Sequence, residues 1–402
     1  MNFAKTALIT FFSILVFTSF AVEPKSGYWQ GLLKLNEETN LPFVFSMNEK
    51  NEITIYNAEE EIQLKSPKRE NDSIIYSFIA FNTYLKLSID SKKSINGFYI
   101  SPDRKRHSII PFKADYIGTD KPICNKEVVT NISGKWKTTF SPNSDDAYPA
   151  IGKFDQSESG KVTGTFLTET GDYRFLEGYL VGSKLILSCF DGSHAFLFTA
   201  QYKDNNLVGT FYSGSHWKTD WIAERNEKFN LKDPDSLTYM VKDDLTFVHP
   251  DTNKVDIAYP NKSTQGKVVI IQLIGTWCPN CLDETNFYKD LYETYHNDGL
   301  EIMGIAYEAP ENLSDQIDRV KRYSANKNIP YPILIGGHAS KKEASMDFNM
   351  LNEITSFPTS IFVNRQGEVV KIHTGFNGPG TGDIYQSYVE ETKRLIEKLL
   401  RE

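Results

Sequence analysis

Two cysteines separated by two residues, Cys278 and Cys281, are the part of this sequence best suited to chemistry. A Cys-x-x-Cys pair can close a small disulfide ring, so one thiolate can attack a foreign disulfide and the other can release the product. The same spacing also supplies half of many zinc sites. A zinc site would need two more ligands, and the sequence offers neither a second Cys-x-x-Cys nor a His-x-x-x-His pair. A purely structural disulfide is the other alternative. Disulfide exchange is therefore the chemistry expected, with no metal and no cofactor.

The surrounding residues say how the pair must be held. Ile270-Ile271-Gln272-Leu273-Ile274 reads as a buried strand that runs into Gly275-Thr276-Trp277. The cysteines then open a helix reaching to about Asn297. A helix N-terminus carries unpaired N–H groups and partial positive charge, which favours a thiolate at Cys278. That makes Cys278 the expected nucleophile and Cys281 the resolving thiol. Glu284 stands one turn beyond Cys281 on the same helix face. From Leu245 onward strands alternate with helices, as in an α/β domain with parallel strands.

These strings resemble a known family. Trp277-Cys278-Pro279-Asn280-Cys281 with Glu284, and Ser356-Phe357-Pro358-Thr359 followed by Ile361 to Gly367, look like the TlpA/ResA-like branch of the thioredoxin superfamily. The resemblance covers roughly Asp244 to Glu402. It implies a thioredoxin-like fold and a membrane-tethered or periplasmic disulfide reductase, often serving cytochrome c maturation. It also implies that Pro358 is cis and faces the cysteines, and that Trp277, Phe357 and Thr359 line the substrate groove. Glu284 would tune the cysteine pKa values and shuttle a proton for the resolving thiol. Thioredoxins proper carry an aspartate six residues before the first cysteine; Gln272 stands there instead, which places more weight on Glu284. A disulfide oxidase or isomerase of the same superfamily is the nearest rival. A peroxidase would need a proline-threonine-cysteine arrangement that is absent.

The resemblance stops at the N-terminal half, where short alternating segments such as Glu52 to Tyr56 and Tyr84 to Ile89 predict antiparallel β-structure. Gly27-Tyr28-Trp29 and Gly134-Lys135-Trp136 open two similar stretches, which carry Asn96-Gly97-Phe98-Tyr99 and Gly209-Thr210-Phe211-Tyr212 near their ends. The expected class is multidomain: a duplicated, barrel-like antiparallel β region, then the thioredoxin-like α/β domain. The boundaries expected are a signal peptide at 1–21, β-modules at 22–120 and 130–225, a linker at 226–243 and the redox domain at 244–402. Trp29, Trp136, Trp217 and Trp221 read as core rather than a ligand cavity. His194 and His216 have no partner visible in the sequence. The β-module could bind an unknown ligand or protein, and a binding protein built around it is the rival from another class. Gly378 to Gly382 lacks the lysine of a phosphate loop.

The chain has 402 residues, 40% of them apolar, and a net charge of −8 without a long run of either sign. Nothing in that distribution asks for nucleic acid. Lys5, the apolar run from Ala7 to Val16 and Ser19-Phe20-Ala21 have the layout of a cleavable secretory signal, with no following cysteine to lipidate. A periplasmic protein is expected, acting on protein thiols or disulfides and fed by a membrane or periplasmic electron donor. The remaining cysteines, Cys124 and Cys189, could pair in such a compartment.

Overall fold

The computed structural model describes residues 22–122, 128 and 130–402. The expected signal peptide and Cys124 lie outside them. Among the described residues no helix is long and apolar enough to cross a membrane.

Between Gly27 and Gly118 nine antiparallel strands form one sheet that follows chain order, with one exception. Its first strand, Gly27–Lys34, lies in the middle, between Asn40–Met47 and the last strand, Ile109–Gly118. That pairing would close a barrel if the fourth and fifth strands also met. They do not: Glu60–Gln63 and Lys68–Glu70 are short, charged and have Pro67 between them, and the two sides touch through the isolated bridge of Leu64 with Phe78. A half-barrel results.

The second region repeats the plan and completes it. Gly134–Phe140 pairs with both Tyr148–Gln156 and Trp217–Arg225. The ring then runs through Lys161–Thr168, Leu176–Val181, Lys184–Phe190, Ala195–Lys203 and Asn206–Ser213, giving a closed eight-stranded barrel. The two opening tryptophans are held alike, Trp29 donating to the Lys25 carbonyl and Trp136 to that of Ile132. Trp29, Trp136 and Trp221 are fully buried core residues, whereas Trp217 is exposed.

The closed barrel plugs the open one. Phe190, Ala195 and Leu197, from two adjacent barrel strands, belong to the half-barrel's hydrophobic core. Phe190 sits against Phe43, Tyr99 and Phe78 at ring separations of 4.8, 5.0 and 5.6 Å. Asn57 clasps its backbone from the half-barrel, accepting from the Phe190 N–H at 2.9 Å and donating to its carbonyl at 3.1 Å. The turn beyond has to be glycine at 192, where φ is +90° and a Cβ would lie 2.1 Å from the Phe78 ring.

The C-terminal domain is thioredoxin-like. Its five-stranded sheet runs Ile333–His338, Leu300–Glu308, Val268–Ile274, Thr359–Val363, Val369–Thr374. The first three strands are parallel and the last two antiparallel. Val268–Ile274 is buried along its whole length, as a central strand covered on both faces must be. Helices α1 (Pro279–Tyr295), α2 (Leu313–Lys327), α3 (Lys341–Asp347) and α4 (Asp383–Arg401) complete the domain. The segment read as a linker is docked on this domain: Val241 N–H donates to Met350 O, Thr238 meets Thr374, and Asp235 pairs with Lys371 and His373.

Because Phe190 links two cores, Phe190→Ala should cost about 3–5 kcal/mol by denaturant titration, the range for emptying a buried aromatic site. A loss below about 1 kcal/mol would mean that the plug contributes little.

Candidate active site

The strand Val268–Ile274 delivers the chain to Gly275, and Cys278 becomes the N-cap of α1, with Pro279 at the first helical position, where no N–H is needed. Cys278 and Cys281 are joined as a disulfide, and the Cys281 N–H points at the Cys278 sulfur at 3.2 Å. In the dithiol state that N–H and the helix end would favour a thiolate at Cys278. Cys278 is 7% exposed and Cys281 fully buried, so only the first sulfur is open to attack from outside.

The turn before the pair is braced from the neighbouring strand. Glu308 accepts from the Thr276 N–H at 2.8 Å and from its hydroxyl at 2.7 Å, and Trp277 donates its indole N–H to Tyr307 O at 2.9 Å. The Phe357–Pro358 bond is cis. Phe357 packs edge-on against Trp277 and stacks on Tyr307. Thr359 is buried and turns its hydroxyl back to the Ser356 carbonyl, so Ser356 and Phe357, rather than Pro358 and Thr359, line the open space by Cys278.

Glu284 lies behind the cysteines in the core. Burial pushes its carboxyl up to about 7, although Gln272 donates to it at 2.8 Å and Tyr288 at 3.2 Å. Gln272 thus occupies the place of the thioredoxin aspartate and binds the acid one turn past Cys281. Burial likewise raises Glu308 to about 7.

The barrel supplies much of the site, which the sequence did not disclose. Asn280, between the cysteines, donates to the Asp172 carbonyl and carboxylate at 3.1 Å each and to Phe376 O at 3.0 Å. Gly171 alongside has φ +135°, and a Cβ there would come within 2.5 Å of the Asn280 amide nitrogen. Arg174, nearly fully buried, pairs with Asp283 of α1, with Glu60 of the half-barrel and with Asp191 at 3.1 Å. It also donates to the Pro279 carbonyl at 3.3 Å. Burial pushes Asp283 up to about 7 against the pull of Arg174, since Asp172, Glu60 and Asp191 crowd the same cation. Burial would raise Asp191 too, but His194 and Arg174 hold it down at about 2.

His194, without a partner in the sequence, meets Asp191 at 3.2 Å and faces the space in front of Cys278. His216 contacts Arg104 at 3.0 Å. Ser193 donates to Trp277 O at 2.9 Å, while Arg104 donates to the Ser193 carbonyl at 3.1 Å. A cavity of about 510 Å³ separates the barrel from Cys278, Trp277 and Phe357. Cys189 is buried and unbridged among the described residues, and its suggested partner Cys124 lies outside them.

Residues 241–388 match the family model described as Redoxin. The thiol-disulfide oxidoreductase ResA of Halalkalibacterium halodurans is 29% identical over 138 residues, 34% of this chain and 66% of the relative. ResA of Bacillus subtilis is 25% identical over 129 residues, 32% of this chain and 64% of that protein. The chain therefore spans just under two thirds of these curated relatives. A thiol:disulfide interchange protein structure from Chlorobium tepidum covers 40% of this chain and 96% of its own, at 23% identity and a TM-score of 0.30. The C-terminal region is a Redoxin domain with ResA-like relatives, and the matched span begins after the barrel ends.

Glu284 generates a pH test. Its folded pKa of about 7 lies above the ordinary 4.5, so the native state keeps a proton that the unfolded chain releases. The stability this gives is complete below pH 4.5 and is lost as pH rises through 7. His216, lowered to about 4 by burial and by Arg104, acts in the opposite sense at lower pH, so the diagnostic quantity is a difference between proteins. Between pH 5 and 8, oxidised Glu284→Gln should gain about 2 kcal/mol on the wild type. Parallel stability curves for the two would contradict a raised pKa.

Proposed function

We propose that this chain is an exported thiol–disulfide oxidoreductase that reduces disulfides of protein partners through Cys278 and Cys281. The observation that carries the reading is the cysteine pair at the start of α1, with the Cys281 N–H aimed at the one sulfur that is open to the exterior.

In the forward reaction the Cys278 thiolate attacks one sulfur of the substrate disulfide. A bond forms between Cys278 and that sulfur, the substrate S–S bond breaks, and the departing thiolate takes a proton from solvent. Cys281, as thiolate, then attacks the Cys278 sulfur, closes the ring and expels the second substrate thiol. Two electrons have passed to the substrate, and a donor dithiol at the membrane or in the periplasm must reduce the ring again. Glu284, buried one turn beyond Cys281 with a pKa near neutrality, is suited to take the Cys281 proton before that second attack.

The role of Asn280 supports the reducing direction. Strong oxidants stabilise the thiolate heavily, and a side chain between the cysteines can donate to it. Here the Asn280 amide is spent on Asp172 and Phe376, and Pro279 has no N–H. Trp277, Ser356 and Phe357 would make the redox domain's side of the substrate groove. Export and a soluble periplasmic location are proposed from the N-terminal sequence, without a lipid anchor.

Trapping tests the assignment. Cys278→Ser should abolish insulin reduction, and Cys281→Ser should accumulate mixed disulfides through Cys278. Faster alkylation of Cys281 than of Cys278 in the reduced protein would reverse the roles. Equilibration with glutathione should give a potential nearer about −270 mV than −120 mV. A value above roughly −180 mV would make the protein an oxidase or isomerase instead.

A further inference from the structure

We propose that the cavity between the barrel and Cys278 is a substrate site shared by the two domains. It selects a disulfide carried on a short extended peptide with an aromatic or aliphatic residue beside the cysteine. The proposal rests on the disulfide-exchange reading and extends it to a surface outside the Redoxin domain.

The space in front of Cys278 measures about 510 Å³, within the range of about 300–1,000 Å³ usual for small-ligand sites. Trp277 and Phe357 form one wall. The other belongs to the barrel: Tyr148, Thr168, Glu169, Gly171, Tyr173 and Phe196. Tyr148 and Tyr173 join their hydroxyls at 2.7 Å, and Tyr148 stacks on Phe140 while Tyr173 packs against it at a tilt, so this wall is stiff and largely aromatic. Aromatic walls on two sides favour an apolar side chain between them. Apart from Asp172 and His194, which are engaged by Asn280 and Asp191, the lining carries charge on Glu169 and Lys341, where a peptide's flanking residues would be read.

The barrel wall cannot be a passive neighbour. Gly171 approaches Asn280 too closely for any side chain, and Arg174 and Asp172 tie the same loop to Pro279 and Asn280 between the cysteines and to Asp283 just beyond them. A substrate sulfur that reaches Cys278 through this space passes between the barrel wall, with Tyr148 and Glu169, and the wall of Trp277 and Phe357. A strand-like segment fits such a slot, whereas a disulfide on a broad folded surface would meet the barrel first. The exchange itself is the one given above, with the two enzyme thiols as reductant.

The test uses pre-reduced full-length protein in single-turnover mixing, with products quenched by acid and weighed by mass spectrometry. The probes are symmetrical disulfides of Gly-Cys-Phe-Gly and Gly-Cys-Gly-Gly. The wild type should react faster with the phenylalanine peptide by roughly 3- to 10-fold, the worth of an aromatic contact. Tyr148→Ala should remove most of that preference. Glu169 is partly exposed and, among the described residues, its one ion pair is with Lys232 at 3.5 Å, so Glu169→Lys provides a second variant with little risk to folding. It should shift the ratio of rates for Glu-flanked over Lys-flanked peptides upward by roughly 3-fold or more. Equal rates for all peptides, with ratios unmoved by either variant, would overturn the shared site. Failure of the wild type to exchange with any peptide or with 2-hydroxyethyl disulfide would instead overturn the disulfide-exchange reading beneath it.

Discussion

One buried guanidinium holds the molecule together where its chemistry lies. Arg174 meets Glu60, Asp191 and Asp283, one carboxylate each from the half-barrel, the barrel and the helix that carries the cysteines. Taking a cation and several carboxylates out of water costs several kcal/mol per ion, and the attraction between them roughly offsets that cost. The net gain in stability is therefore modest. The gain in specificity is larger, because removing Arg174 leaves three carboxyl groups in a dry place without their cation. Three units that could pack in many ways are thereby held in one arrangement.

That arrangement depends on an asymmetry between the two β regions. The barrel closes because its strands around the ring are long enough to pair throughout, while the half-barrel stays open at Glu60–Gln63 and Lys68–Glu70. The 190–197 hairpin packs into the half-barrel, adding Phe190, Ala195 and Leu197 to its core. The hairpin's turn carries Asp191, Ser193 and His194. There it serves Arg174, Trp277 and the cavity in turn. The edge strand that failed to close the sheet also supplies Glu60. Packing and polar contacts thus converge on the first turn of α1.

The redox domain was legible in the sequence because its signals are local. The strand before Cys278, the cysteine spacing, and Phe357-Pro358 followed by a hairpin each occupy a few contiguous residues. Alternation and repeated Gly-x-Trp strings likewise pointed to two related β-modules. What the sequence did not disclose was the convergence of the domains. Arg174 is one arginine among many until its partners, more than 100 residues away in two directions, are brought to it. Asp283, near the start of α1, gives no local hint that it anchors a different domain. His194 was passed over because Asp191, only three residues before it, acquires its meaning from Arg174. The positive φ of Arg174, unusual for a residue with a side chain, has no sequence signature of its own.

The central claim is that the β-modules and the Cys-x-x-Cys helix form one unit through Arg174. Hydrogen exchange followed by mass spectrometry on full-length wild type and Arg174→Met tests it most directly. The account predicts faster exchange in Arg174→Met across residues 279–285, the 169–175 loop and the 190–194 turn, with α4 protected as before. Unchanged exchange at the start of α1 would show that the redox domain holds its active helix without the barrel, and would contradict the account.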